Sequence, residues 1–388
     1  MSNKFSLKAT SETLRAFSET YVRPNVLARD KAQKLDIDIL EQLASAGLLG
    51  LEVPEPYFTR DDNCLFDSAL PFSGSVLTIQ EISRVDPGVS VYLHVHNILF
   101  NKLLLQFGSE EQKHQWLPKV ATDVTGAFAV TEPQAGSDLS LMTTSATKVE
   151  GGYEISGEKT WITNAKEAGV MVLIANVAQS CGREVATAFL LDTNLPGVTI
   201  GERLSKMSVR ASSTCPVVLN KVFVSDSAVL GTPNQGVDIA NYGLCVGRIG
   251  IAAQMLGLSE GALELATNYS NERHAFKDKI VNFQGVAFPL AQLSAEISVL
   301  KPFIYQAAKK IELGYSATQV MDDANKAKLL ASQLAERASS CAVETLGGNG
   351  VAEQYAVEKL YRDAKVGKIY EGTVNILLRS IASRALCN

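Results

Sequence analysis

The chain has 388 residues, 46% of them hydrophobic, which is enough to bury a large core and to form two or three domains. Its formal net charge is -5, whereas general nucleic-acid-binding proteins usually carry a net positive charge. The cysteines lie far apart in the sequence, so we expect reduced thiols rather than a disulfide framework or a zinc site; they are Cys64, Cys181, Cys215, Cys245, Cys341 and Cys387.

The first residues, MSNKFSLK, contain no apolar signal-peptide core, and no later run reaches the roughly 18 apolar residues of a membrane span. We therefore expect neither export nor membrane insertion. The expected location is the cytoplasm, or the mitochondrial matrix if the chain is a processed form.

Helical periodicity dominates the first part of the chain, for which we predict a helical domain at 1–125. Apolar residues recur at helical spacing over 35–47, which ends at a glycine. A second helix is predicted over 76–85 and stops at the Asp86-Pro87-Gly88 turn signal, after which an apolar stretch runs over 89–107.

Short β-branched runs separated by Gly, Asn, Asp and Pro turns then predict an antiparallel β domain at 126–238. Helical patterns return in a third domain at 239–388. They cover 240–272, 285–313, 317–345, 354–365 and 373–386. Pro289 lies inside one of them, where its missing N–H predicts a kink or a restart of the helix.

Three segments carry a resemblance to a known family. They are FAVTEPQAGSD at 128–138, GEKTWITN at 157–164 and IYEGT at 369–373. Together they resemble the acyl-CoA dehydrogenase family of flavoproteins, and the resemblance spans nearly the whole chain. The segments at 204–216 and 247–257 look closest to the short/branched-chain members. The implied fold is α+β, with helical, antiparallel β and four-helix-bundle-like domains in that order.

Glu371 is the candidate catalytic base. Removing the proton α to a thioester carbonyl requires a base near that carbon, and a carboxylate in a dry apolar pocket suits this task. A lone glutamate at a helix start is otherwise most often a capping or solvated residue, so the assignment depends on the family segments. Some family members place their base where Gly247 stands here, which leaves Glu371 as the one base candidate.

The resemblance implies FAD as the cofactor. In the first two segments, a Pro- and Gly-containing turn can expose N–H groups and hydroxyls to a flavin. The segment ERHAF and the glycine turn ETLGGNG resemble those that reach the diphosphate and adenosine of FAD. In the family the former does so from a neighbouring subunit, so the resemblance implies a homo-oligomer, the family's tetramer. The implied cofactor residues are Phe128, Val130, Thr131, Gly136, Ser137, Trp161, Ile162, Thr163, Arg273, Phe276, Gln284, Glu344, Gly347, Gly348, Thr373 and Asn375.

The resemblance also implies a substrate site formed by Ser137, Val237, Cys245, Arg248, Tyr370 and Gly372, with His96 and Asn97 lining the acyl pocket. Several positions depart from the family pattern. Val237 replaces a common aromatic residue, Cys245 replaces Asp or Asn, Lys277 replaces a glycine, and 57–72 is longer than the usual turn. His94 and His96 would lie on different helix faces without an acidic or cysteine partner, so we predict no metal site.

The expected reaction is α,β-dehydrogenation of a short or branched-chain acyl-CoA, with an electron-transfer flavoprotein as the usual electron acceptor. The first alternative is the same chemistry on an acyl or aminoacyl group tethered to a carrier protein, which would not need the lost CoA contacts. A flavin oxidase that uses oxygen directly also stays open. A catalytically idle scaffold protein is the alternative outside enzymes.

Overall fold

A computed structural model describes residues 5–178 and 184–386. Cys181 and Cys387 lie outside the described residues, and the thiols of Cys64, Cys215, Cys245 and Cys341 are free. In the part of the chain that is described, no helix is long and apolar enough to cross a bilayer.

Helices, then strands, then helices follow one another along the chain. The first helices are α1 (Leu7–Phe17), α2 (Val26–Ala32), α3 (Ile37–Ser45), α4 (Phe72–Ser83), α5 (Pro87–His94), α6 (Lys102–Phe107) and α7 (Glu110–Val120). The strands are β1 (Thr125–Ala129), β2 (Ser145–Val149), β3 (Gly152–Thr163), β4 (Ala168–Ala178), β5 (Glu184–Asp192), β6 (Val198–Ile200), β7 (Thr214–Ser225) and β8 (Val229–Leu230). The remaining elements are α8 (Gly236–Glu272), β9 (His274–Ala275), β10 (Asp278–Lys279), α9 (Gln284–Glu312), α10 (Ala317–Leu346), α11 (Val357–Val366) and α12 (Val374–Ala385).

Within the described residues, β1–β8 form one sheet in the order β6-β7-β3-β2-β4-β5-β8, with β1 paired to β4. Most neighbours are antiparallel, but the β1–β4 and β2–β4 pairs are parallel, which departs from the purely antiparallel domain predicted from the sequence. Parallel neighbours need a crossover connection. Residues 130–167, which contain β2 and β3, provide it between β1 and β4.

Strand β4 is buried on both faces, which explains its unbroken apolar sequence. Val170 and Val172 pack in one core cluster with side chains of α6 and α7, whereas Met171 and Leu173 belong to the cluster on the opposite face. The sheet is therefore the middle layer of this part of the molecule, with helices on one side.

A third core joins the N-terminal helices to the C-terminal ones. Buried residues of α4 and α5 pack there with residues of α8, α9 and α10. The predicted order of helical, β and helical domains is confirmed, and α5, α8, α10 and the turn between α11 and α12 meet in this core.

Helix α9 continues through Pro289 and Pro302 as one element. Of the two outcomes predicted at Pro289, a kink or a restart, the helix shows no restart. Pro289 is the sixth residue of the helix, where its missing N–H removes a hydrogen bond of the first turns while the long apolar face of α9 still packs in the core.

The long loop predicted at 57–72 packs against the N-terminal helical domain. The Arg60 guanidinium donates to the carbonyls of Gly50 and Val53 at 2.7 and 3.1 Å. The Leu70 N–H donates to the Leu51 carbonyl at 2.7 Å. The loop is thus tied to backbone carbonyls of the segment that follows α3.

Candidate active site

Glu371 lies in the turn between α11 and α12 with φ = 49°, a left-handed conformation that is unfavourable for a residue with a side chain. Gly372 follows with φ = 102°. Thr373 then caps α12, accepting a hydrogen bond from the Ile376 N–H at 3.4 Å. The helix cap and the glycine therefore fix where the turn ends.

Two buried cations hold the backbone of this turn. The Lys328 ammonium donates to the carbonyls of Tyr370 and Gly372 at 2.8 and 2.6 Å. Arg248 donates from Nε to the Glu371 carbonyl at 3.0 Å and from Nη1 to Asn325 Oδ1 at 2.7 Å. Burial lowers the pKa of Lys328 to about 7. The backbone on both sides of the carboxylate is thus tied to α8 and α10.

The carboxylate of Glu371 is 13% exposed, and its two oxygens have different surroundings. Oε1 lies 2.6 Å from Nε2 of His94, the last residue of α5. Oε2 is buried and has no hydrogen-bond partner among the described residues. One oxygen is therefore fixed while the other is available to an acidic C–H or another donor.

Helix α8 has glycines opposite this pair. A Cβ at Gly247 would lie 2.2 Å from Glu371 Oε2, and a Cβ at Gly250 would lie 2.4 Å from His94 Nδ1. Real Cβ atoms do not approach other atoms this closely, so the two side chains occupy the room that the glycines leave. This explains Gly247 in terms of space for the base.

A buried ion pair anchors the predicted flavin turn. Glu132 and Lys159 have fully buried side chains with 2.8 Å between Oε1 and Nζ. Glu132 also accepts the N–H groups of Thr143 and Thr144 at 2.7 and 3.0 Å. Burial opposes the charge on Glu132, but the Lys159 ammonium and these donors lower its pKa to about 2. Burial lowers the pKa of Lys159 to about 8.

The turn at 131–138 and strand β3 are brought together as the sequence predicted. The Thr160 N–H donates to the Thr131 carbonyl at 2.9 Å. Trp161 sits in an irregular stretch of β3 with φ = 59° and is 61% exposed, so its ring offers a free surface. Gly136 and Ser137 are exposed. A Cβ at Gly136 would meet open space.

Other predicted flavin residues differ in their exposure. Phe128 and Thr163 are half-buried. Val130 and Ile162 are buried in the sheet cores. Ile162 can therefore meet a cofactor only through its backbone. Asn375 is exposed on the first turn of α12.

A second cluster forms a cleft of about 420 Å³ between the end of α8 and the glycine turn after α10. Arg273, Gly347 and Gly348 line it, together with Tyr269, Ile280, Thr345, Leu346 and Asn349. A Cβ at either glycine would meet open space. A guanidinium beside an open glycine turn fits a diphosphate or another anion.

Gln284, Glu344 and Phe276, which the resemblance also assigned to FAD, do not line this cleft. Gln284 begins α9, and Glu344 accepts a hydrogen bond from Ser340 at 3.1 Å. Phe276 is 92% exposed at the tip of the β9–β10 hairpin. Phe276 and Lys277 have φ of 52° and 70°, so the turn keeps the left-handed backbone that usually calls for glycine.

The structure places the predicted substrate residues in different surroundings. Cys245 is a fully buried core residue whose thiol donates to the Ala317 carbonyl at 3.6 Å. Arg248 is buried, and its guanidinium serves the Glu371 turn. Val237 is exposed near the start of α8. Tyr370 donates its hydroxyl to Gln254 Oε1, and Gly372 is half-buried beside Arg248.

His96 and Asn97, which we expected to line an acyl pocket, are buried and hydrogen-bonded to backbone groups. His96 Nε2 lies 2.9 Å from the Val120 carbonyl, and its Nδ1 accepts the Gly126 N–H at 3.0 Å. Burial lowers the pKa of His96 to about 4. Asn97 donates to the Leu48 carbonyl at 2.9 Å. Both side chains join backbone segments instead of facing a cavity.

Sequence reasoning missed four side chains of this region, His94, Lys328, Glu132 and Lys159. Each acts on a residue distant in sequence or on backbone carbonyls, which no local motif reveals. The spacing of Gly247 and Gly250 within the long helical pattern was the available signal for a side-chain pair packed against α8.

Comparisons with known proteins agree over the whole length. The N-terminal, middle and C-terminal domains of acyl-CoA dehydrogenase match residues 6–123, 127–222 and 234–386. A probable short/branched chain specific acyl-CoA dehydrogenase of Dictyostelium discoideum is 39% identical over 97% of this chain and 89% of its own length. The mitochondrial short/branched chain specific enzyme of Rattus norvegicus is 37% identical, over 96% and 83% respectively.

Solved structures show the same similarity. Butyryl-CoA dehydrogenase from Megasphaera elsdenii has a TM-score of 0.91 and 33% identity, with all of both chains covered. The prolyl acyl carrier protein oxidase AnaB has a TM-score of 0.90 and 26% identity, over 97% of this chain and 98% of its own. From its sequence and its fold, this chain belongs to the acyl-CoA dehydrogenase family.

Proposed function

We propose that the protein catalyses FAD-dependent α,β-dehydrogenation of a short or branched-chain acyl-CoA, with Glu371 as the base. The observation that carries this proposal is the bare Oε2 of Glu371, a buried carboxylate oxygen without a partner among the described residues. A carboxylate excluded from water is a stronger base toward a weak carbon acid than a solvated one.

The backbone around Glu371 fits the second requirement, polarisation of the thioester carbonyl. The Glu371 N–H has no acceptor among the described hydrogen bonds. Arg248 and Lys328 fix the adjoining carbonyls, so the N–H direction is set before a substrate arrives. Donors held in advance stabilise the enolate-like charge as it develops.

The exposed Trp161 ring, the turn at 131–138 and the Arg273 cleft fit a flavin dinucleotide. Bound FAD would supply the acceptor for the hydride that leaves the β-carbon. In this proposal Thr131, Ser137 and Trp161 meet the flavin half. Arg273 and Gly347 meet the diphosphate and adenosine half, with Arg273 acting on the cofactor of a neighbouring subunit.

A homotetramer is part of the same proposal. Phe276 is 92% exposed beside Arg273, and Phe288 and Val299 on α9 are 61% and 77% exposed. Exposed apolar side chains on adjoining elements are typical of subunit contacts.

An electron-transfer flavoprotein is the proposed electron acceptor. A solved structure of an electron transferring flavoprotein of Acidaminococcus fermentans has a TM-score of 0.92 to this chain, with 32% identity and full coverage of both chains.

A carrier-protein thioester is the second candidate substrate. The similarity to AnaB supports it, as does Val237, which offers no aromatic ring to a CoA moiety. Losing such stacking weakens binding of free CoA, whereas a carrier protein would bring its thioester through protein contacts.

Anaerobic titration of the purified yellow protein tests the proposal. We expect 2-methylbutanoyl-CoA or butanoyl-CoA to bleach the flavin absorbance band at about 450 nm. Glu371→Gln should retain this band before substrate is added and should slow its bleaching by about 10²- to 10⁴-fold. Bleaching only by carrier-linked acyl groups would select the second candidate. Undiminished bleaching in Glu371→Gln would refute Glu371 as the base.

A further inference from the structure

His94 is the side chain that contacts the Glu371 carboxylate directly. It is completely buried at the end of α5, and the chain continues into a π-helical turn at Val95–Asn101. Local π-helical geometry inside a helix often occurs at functional sites, because it redirects side chains. The contact joins residues 277 positions apart in sequence. It therefore depends on tertiary packing.

The surroundings decide which ring nitrogen carries the proton. Nδ1 of His94 is buried without a hydrogen-bond partner among the described residues. A proton on Nδ1 would be an unsatisfied buried donor, and Oε1 of an ionised Glu371 can only accept a hydrogen bond. The Nε2–H must then donate to Glu371 Oε1, which accepts it as a carboxylate.

We propose that His94 is a positioning residue for the base: its Nε2–H holds Oε1 of Glu371 and thereby makes Oε2 the atom that takes the α-proton. This inference rests on the proposed function of Glu371. In the step, the α-carbon–hydrogen bond breaks, its proton bonds to Oε2 and its electron pair stays on the α-carbon. The His94 proton remains on Nε2 throughout.

Helix α8 supports the assignment independently. Gly247 and Gly250 leave room for Oε2 and for the His94 ring respectively, since a Cβ at either position would lie 2.2 or 2.4 Å from them. The pair is thus packed on one side by a surface that lacks side chains at both points. The imidazole on Oε1 and the bare helix surface beside Oε2 together define the orientation of the carboxylate.

The other charged and titratable groups around the pair act on the backbone or on other side chains. Arg248 of α8 contacts the Glu371 carbonyl, and Lys328 of α10 contacts the carbonyls of Tyr370 and Gly372. Tyr370 donates to Gln254. Among the described residues, His94 is therefore the group whose removal alters the carboxylate without altering the fixation of its turn.

The test compares His94→Gln, which keeps an N–H donor at similar reach, with His94→Leu, which fills the space without one. In anaerobic stopped-flow measurements with the reducing thioester, we expect His94→Leu to slow flavin reduction about 10- to 100-fold. Its substrate dissociation constant should change less than about threefold, since the ring does not hold the substrate. His94→Gln should stay within about fivefold of the native rate.

Equal impairment of both variants, or a native rate of flavin reduction in His94→Leu, would overturn the proposal. A readout that needs no turnover separates it from the proposed function. In ¹⁵N spectra of histidine-labelled holoenzyme, with the His94 signals assigned from His94→Gln, we expect a protonated Nε2 and a bare Nδ1. Glu371→Gln should shift mainly Nε2. A proton on Nδ1 with a bare Nε2 would refute the assignment even if no thioester reduces the flavin.

Discussion

Gly247→Ala separates the space required by the base from the stability of the helix that faces it. The added Cβ would lie 2.2 Å from Oε2 and 3.1 Å from Cδ of Glu371. Unstrained carbon–oxygen contacts are about 3.3 Å or longer, so the carboxylate must retreat by about 1 Å. Its contact with His94 would be broken or bent by such a shift.

Gly247→Ala should leave the free energy of unfolding nearly unchanged and should lower the rate of flavin reduction. Alanine in place of glycine inside a helix stabilises by about 0.5–1 kcal/mol, and the clash involves the mobile end of a side chain instead of the backbone. The free energy of unfolding should therefore stay within about 1 kcal/mol of the native value. A displacement of about 1 Å of a reacting group can lower the rate about 10²-fold. Flavin reduction should fall by that order.

Stopped-flow reduction and urea unfolding of the same preparations measure both quantities. Gly243→Ala is the matched control on α8, because its Cβ would only meet Leu103 Cδ1 at 3.4 Å and Phe128 Cζ at 3.5 Å. Gly243→Ala should stabilise the helix and reduce the flavin at a nearly native rate. A native rate in Gly247→Ala, or a loss of rate fully explained by unfolding, would refute the reasoning about Oε2.

Two further predictions concern the turns of this region. Lys328→Met should slow flavin reduction about tenfold in stopped-flow assays, because the Glu371 turn loses two carbonyl anchors. Burial lowers the pKa of Lys328 from 10.5 to about 7, so between these pH values the unfolded chain binds more protons than the native one. The free energy of unfolding should therefore rise with pH in this range, by up to about 1 kcal/mol per pH unit. Urea unfolding of Lys328→Met should lack this pH dependence. Lys277→Gly should stabilise the hairpin by about 1 kcal/mol in urea unfolding, because Lys277 has φ = 70°; Lys277→Ala should not, and equal gains in both would contradict the strain argument.

The repeating patterns were the predictable part of the fold. The β-branched, mostly apolar run of β4 predicted a strand, and both faces of this strand meet a core. The start of α10 was predictable from local chemistry as well, since Ser316 and Gln319 form a capping box. The parallel pairing of β1 with β4 was not, because periodicity records which faces are buried and does not record strand direction.

The candidate site divides in the same way. Glu371 and the flavin turn could be identified because each lies in a contiguous segment with recognisable chemistry. His94 could not, since nothing near it in sequence resembles its partner and only the packing of α5 against α8 brings the two together. Cys245 shows the reverse difficulty: its substrate role was carried over from the family by position, whereas its burial between α8 and α10 depends on packing that position alone does not show.

The distribution of charge around Glu371 has a chemical consequence. Arg248 and Lys328 fix the turn, but their hydrogen bonds go to the carbonyl oxygens of residues 370–372 and to Asn325 rather than to the carboxylate. A cation in direct contact with a carboxylate stabilises its charge and weakens it as a base. A neutral imidazole on Oε1 orients the group at a smaller loss of basicity. The site therefore uses charge to hold the backbone and a neutral donor to aim the side chain, which keeps Oε2 reactive toward a weakly acidic carbon.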